Sequence, residues 1–148
     1  MRVIPICLLT SLAFGAGTAH GTRPASLQVE ARSPAVAGGT LIQDIGIDLG
    51  GVFEVLLERH RAVPCEMTQT FSTAVDNQTE ITFRLFRGVA KLTRHARLLG
   101  RFTISDVPPA PRETVTVDVT ISVSSDGSIS LAAKETAGHA VQLRRRDG

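Results

Sequence analysis

The sequence predicts an all-β chain folded as an antiparallel β-sandwich of about eight short strands. Three observations predict it. From Leu41 onward, apolar and polar residues alternate with a period of two. Clusters of Gly, Pro, Asn, Asp and Ser interrupt the alternation at short intervals, as turns require. Beyond an N-terminal apolar run, no stretch sustains a helical period.

Leu41 to Leu49 and Val52 to Leu57 flank Gly50-Gly51 and form the first two strands. Met67 to Ala74 is a weaker third. Glu80 to Leu85 alternates cleanly, with Ile81, Phe83 and Leu85 on one face and Glu80, Thr82 and Arg84 on the other. Leu99 to Ser105 follows and is closed off by Pro108, Pro109 and Pro111. Thr114 to Val123 is the clearest strand. It sets Val115, Val117, Val119, Ile121 and Val123 against Thr114, Thr116, Asp118, Thr120 and Ser122. Burying five such side chains stabilises a fold by roughly 1.5–3 kcal/mol each before conformational entropy is counted. Ser124-Ser125-Asp126-Gly127 makes a turn, and Ser128 to Glu135 returns with Ile129, Leu131 and Ala133 inward. His139 to Arg144 is the expected last strand.

The N-terminus reads as an address. Arg2 precedes the mostly apolar run Val3 to Gly17, and Gly17-Thr18-Ala19 offers small residues for a peptidase. Residues 1–19 are therefore expected to be a signal peptide, which places the chain outside the cytoplasm, in a periplasm or the extracellular space. The run is shorter than the roughly 20 residues that span a bilayer, so no stable membrane insertion is expected. Residues 20–39 carry no periodicity and read as a flexible lead-in. The sandwich is expected over residues 40–144, and residues 145–148 form a basic tail.

Composition narrows the function. At 148 residues the chain is long enough to bury a core without staples. A net charge of +2 is too small to argue for a nucleic-acid partner. Trp and Tyr are absent, which disfavours a stacking platform for bases or sugars. His60, Cys65, Glu66 and His95 fit no zinc spacing, and no Ser-His-Asp set stands in a nucleophile context, so neither a metal nor an enzyme is expected. Cys65, left odd once the leader is removed, reads as a half-buried thiol.

The order of motifs carries a resemblance. Ile45-Gly46-Ile47-Asp48-Leu49-Gly50-Gly51 comes first. Val63-Pro64 and Phe71-Ser72-Thr73-Ala74 follow, then Asp76-Asn77-Gln78. Leu99-Gly100-Arg101-Phe102, Pro109-Ala110-Pro111-Arg112 and Asp126-Gly127-Ser128-Ile129 complete the series. This series resembles the substrate-binding β-sandwich of the heat-shock protein 70 family, the DnaK-type chaperones, over roughly Leu41 to Val141. The resemblance implies two loops that clasp an extended peptide by its main chain, above one apolar pocket. It implies loops at Asp48 to Gly51 and Ala74 to Gln78. It also implies that Ile47, Phe71, Ile81 and Phe83 line the pocket and that Leu49 and Ala74 arch over the bound backbone. Ser72 and Gln78 supply or fix polar contacts. Asp76 and Arg112 match positions that latch a lid in the family, and without a lid they are expected to be solvated surface.

Two departures accompany the match. The first loop is one residue shorter than usual, and Phe83 stands where the family has a smaller aliphatic side chain, so it narrows or plugs the pocket. The match includes neither an ATPase domain nor a helical lid. The expected function is thus passive binding of extended apolar segments of unfolded proteins, with no cofactor and no ATP hydrolysis. A separate nucleotide-binding subunit stays open as a further partner. The rival expectations are a degenerate interaction or structural sandwich, and a truncated fragment of an ATP-dependent chaperone.

Overall fold

A computed structural model of the chain describes residues 2–4 and 24–146. The strands run in chain order: β1 (Arg2–Ile4), β2 (Ala25–Glu30), β3 (Val36–Ala37), β4 (Thr40–Leu41), β5 (Asp44–Leu49) and β6 (Val52–Leu57) come first. Then come β7 (Cys65–Ser72), β8 (Ile81–Gly88), β9 (Arg97–Ser105), β10 (Thr116–Val123), β11 (Ile129–Glu135) and β12 (Gln142–Arg145). One five-stranded sheet has the order β1-β7-β10-β11-β2, the other β12-β9-β8-β5-β6, and β3 pairs with β4 alone. Every pairing is antiparallel. All eight strands expected from the sequence are present as β5 to β12.

The alternation of β10 is realised residue by residue: Val117, Val119, Ile121 and Val123 are at most 1% exposed, while their neighbours are half-buried. Phe71 of β7 and Ile129 and Leu131 of β11 complete the inner face of that sheet. Ile45 and Ile47 of β5, Ile81, Phe83 and Leu85 of β8, and Phe102 and Ile104 of β9 face them from the other. The two sheets thus share one continuous core, because each strand turns its β-branched or aromatic side inward.

The segment expected to be a flexible lead-in is instead built into the fold. β2 adds to the outer edge of β11, pairing Leu27 with Leu131 and Ala25 with Ala133. Val29 enters the core at 7% exposure, and Ala35 and Leu41 are fully buried. Long-range polar contacts hold it there. The Arg145 guanidinium donates to the carbonyls of Val29 (3.0 Å) and Leu99 (2.7 Å), joining the two sheets. Buried Arg87 donates to Gln43 Oε1 at 2.8 Å, and its Nε lies 3.4 Å from a Glu30 carboxylate oxygen without hydrogen-bond alignment. Arg145 is therefore part of the last strand rather than of a basic tail. The expected leader, residues 1–19, lies outside the described residues except for the backbone of β1. Among the described residues, no helix is long and apolar enough to cross a membrane.

Gly46 sits where β5 shifts register against β6. A Cβ there would lie 1.9 Å from the Glu54 carbonyl oxygen, which is backbone and cannot swing away. Gly46→Ala is expected to cost about 3 kcal/mol of stability through forced backbone displacement, read as a lowered urea midpoint. An unchanged midpoint would show that the two strands separate freely at this point.

Candidate functional site

The first loop follows from its sequence. Leu49 pairs with Val52, leaving Gly50 and Gly51 as a two-residue hairpin turn. Their φ values of 63° and 94° are both left-handed, as a type I′ turn requires, and two glycines adopt them without steric cost. Asp48, just before the turn, is the hub. Its Oδ1 accepts from the Gly51 N–H (2.8 Å) and the Thr93 hydroxyl (3.0 Å), and its Oδ2 pairs with Arg84 of β8. The loop after β8 then braces the turn from outside. Thr93 N–H donates to the Gly51 carbonyl at 3.0 Å, and Phe53 N–H donates to the Lys91 carbonyl at 2.9 Å.

The second loop is braced in the same way by a different segment. Gln78 folds its amide back on its own loop: Oε1 accepts from the Ala74 N–H (2.7 Å) and the Val75 N–H (3.3 Å), and Nε2 donates to the Glu80 carbonyl (2.6 Å). Asn77, at a left-handed φ of 57°, donates its N–H to the Ala110 carbonyl at 2.8 Å. Asp76 accepts the Arg112 N–H at 2.9 Å, and Glu113 N–H reaches the Thr73 carbonyl at 2.9 Å. Asp76 and Arg112 are exposed, as expected of surface residues, and this contact also joins them across the base of the loop. Residues 36 apart in sequence give no local signal of such a contact.

Of the residues assigned to the peptide site, Ile47, Phe71, Ile81 and Phe83 come together in the core, and Leu49 packs half-buried against them. Their exposures are 0%, 1%, 0% and 2%, so solvent hardly reaches these four side chains. Phe83 stacks on Phe71 with ring centroids 5.2 Å apart and meets Phe102 at 5.6 Å. This aromatic ladder occupies the place where an apolar pocket was expected. Ser72 is fully buried at the end of β7, whereas Ala74 is exposed on the second loop. An open depression of about 460 Å³ does exist, but it is polar: Asp48, Thr82, Arg84 and Arg101 line it, and Phe83 is the only pocket residue that touches it. Arg84 there lies over the Phe86 ring, 5.6 Å from its centroid.

Burial would raise the Asp48 carboxyl, but the Gly51 N–H, Arg84 and Thr93 outweigh it and hold the group below its usual value of 3.8. Glu135, buried at the end of β11, behaves likewise: burial opposes, and hydrogen bonds from the His139 and Ala137 backbones and the His139 ring prevail, keeping it below 4.5. Cys65 is half-buried, and desolvation pushes its thiol up against the opposing charge of Arg61.

Both carboxylates bind protons more weakly when folded. Their contribution is present above the unfolded values near 4 and is lost as pH falls through the depressed folded values. Stability is thus expected to decline as pH drops below about 4, and Asp48→Asn is expected to flatten part of that decline. Urea midpoints across pH 2 to 6 check this; parallel curves for the two proteins would remove Asp48 from the account.

Comparison with known proteins places the sandwich. The family model described as Hsp70 protein matches residues 40–144. The chain is 38% identical over 96 residues to the heat shock protein SSC3, mitochondrial, of Saccharomyces cerevisiae, which covers 64% of this chain. It spans 15% of the length of that relative. The expectation of an exported, periplasmic or extracellular chain is corrected by this finding, since the relative it matches is named as a mitochondrial protein. The match over most of the chain, on the fold and loop geometry described, shows that this protein belongs to the Hsp70 family.

Proposed function

We propose that the chain is a passive peptide-holding module that takes extended apolar segments of unfolded polypeptides and hydrolyses no ATP. Membership in the Hsp70 family supports a chaperone-like role. The observation that carries the finer reading is the double bracing of the loops. Asp48 and Thr93 fix the first, Gln78, Asp76 and the Ala110 carbonyl fix the second, and neither relies on a further domain for its shape. Loops ordered in advance lose less entropy when they close on a ligand. Main-chain recognition suits unfolded clients, since backbone groups are common to every sequence. With Phe83 filling the apolar floor, the grip rests mainly on backbone and discriminates little among side chains. Leu49 and Ala74 remain the residues to arch over the bound segment, with Ser72 beside them.

The phenylalanine ladder favours a second reading, a sandwich that has given up client binding and serves as an interaction or structural unit. One substitution separates the two. Titration of a fluorescent Leu-rich peptide is expected to show weak saturable binding to the chain, and Phe83→Val is expected to tighten it by opening a pocket. The same substitution costs about 1–3 kcal/mol of stability through lost packing. Absence of binding up to millimolar peptide by both proteins, with the fold intact by circular dichroism, would leave the second reading standing.

A further inference from the structure

The outer face of the sheet that contains β8 and β9 carries a charge pattern that the packing does not require. Alternation turns Phe83, Leu85, Phe102 and Ile104 into the core, so Thr82, Arg84, Arg101 and Thr103 project from the opposite face. The register sets Arg84 directly opposite Arg101 and Thr82 opposite Thr103. The last strand continues both rows: Arg144 pairs with Thr103, and the Arg146 N–H donates to the Arg101 carbonyl at 2.7 Å. Like charges directly opposite on adjacent strands repel and cost stability. Asp48 is the one carboxylate lining the depression on this face. Its oxygens are already engaged by Arg84, Gly51 and Thr93. None of the ion pairs among the described residues includes Arg101.

We propose that the depression between Arg84 and Arg101 is an oxyanion site that takes a phosphoryl group. A guanidinium presents several N–H donors in one plane and forks onto phosphate oxygens. Two such planes arrive here from adjacent strands, and Asp48 holds one of them in place. Thr82 adds a hydroxyl. Its oxygen lies 3.1 Å from the Thr103 hydroxyl oxygen, and either group can donate. When Thr103 donates, the Thr82 hydrogen is free to turn to a ligand. Three donor groups on different sides match the three terminal oxygens of a phosphoryl group, whereas a carboxylate offers two oxygens in one plane. At about 460 Å³ the depression has room for that group together with the atoms that carry it. An anion bridging Arg84 and Arg101 also relieves their mutual repulsion, so binding stabilises the sheet it sits on. Condensed inorganic phosphate and a phosphorylated side chain share this chemistry. The site lies on the outer face of the sheet and does not depend on the peptide-holding reading.

Pyrophosphate titrated into the full chain at constant ionic strength, followed by calorimetry, is expected to bind saturably. Arg101→Gln is expected to weaken that binding by about tenfold or more, the scale of a lost charge-assisted hydrogen bond. Arg101→Lys is expected to fall between the two, since the charge stays and the fork is lost. Arg61→Gln removes an exposed arginine elsewhere and is expected to leave the affinity unchanged. Without anion, the urea midpoint of Arg101→Gln is expected to match or exceed that of the parent chain, because a repelling charge is gone. A phosphoserine peptide beside its serine counterpart separates the sources. Arg101-dependent binding of the phosphoserine form assigns a carried phosphoryl group, and binding of pyrophosphate alone assigns free condensed phosphate. Failure of both probes at millimolar concentration overturns the site. Equal weakening by Arg101→Gln and Arg61→Gln reduces the binding to diffuse charge and overturns it as well. So does a lowered urea midpoint for Arg101→Gln, which would make the arginine row part of the fold's own support.

Discussion

The interlocked phenylalanines are the constraint on which the rest of the molecule depends. Phe71 belongs to one sheet and Phe83 and Phe102 to the other, so the Phe71–Phe83 stack at 5.2 Å spans the sandwich, while Phe83 meets the tilted Phe102 ring at 5.6 Å within its own sheet. Such contacts add roughly 0.5–1.5 kcal/mol per pair beyond the area they bury. They also decide what the candidate site can be. A side chain that fills the space between the sheets cannot also leave room there for a guest. Phe71 and Phe83 are almost wholly buried in the described state, so any side chain entering between the sheets here would have to displace one of them, which cores packed at crystal-like density resist.

The loops follow a different economy. Each is held by polar contacts at its base and not by burial: a carboxylate on one side, a carboxamide on the other, each supplemented by a neighbouring loop. Asp48 joins three segments because a carboxylate has four lone-pair directions, and Gly51, Thr93 and Arg84 approach from different sides. Gln78 joins its loop only to itself, since both ends of its amide find backbone partners within four residues. The first loop is therefore tied to the sheet that carries the floor, through Arg84 of β8. The second is tied to the segment between β9 and β10. A substitution in either bracing segment acts on its loop at a distance, without touching anything bound.

Much of this was legible in the residues. The eight strands of the sandwich announce themselves through β-branched alternation, because burial on one face is the dominant local requirement and its period is visible in a single strand. The two loops followed from motif order, which also placed Ile47, Phe71, Ile81 and Phe83 together, as a pocket lining, while alternation alone set Ile81 and Phe83 on one face; all four are buried in the core. What was missed shares one cause: it is fixed by contacts between residues far apart in the chain. β2 does alternate, Ala25, Leu27 and Val29 against Ser26, Gln28 and Glu30, but over only six residues with one fully inward side chain, Val29, so its signal is weak beside the distant contacts that place it. Glu30 and the Val29 carbonyl are met by arginines 57 and 116 positions away. Asp76 and Arg112 looked like residues without a present partner because the backbone N–H that satisfies Asp76 is invisible to any side-chain reading.

The placement of β2 bears on why the sandwich holds together over this length of chain. A sheet of β7, β10 and β11 alone would expose two edges. β2 covers the β11 edge, and its residues precede the family-matched segment. Arg145 and Arg87 then lock the cover to the opposite sheet, one through two carbonyls and one through Gln43 and Glu30. A guanidinium suits both tasks, since it stays charged on burial and presents several donors in a fixed plane.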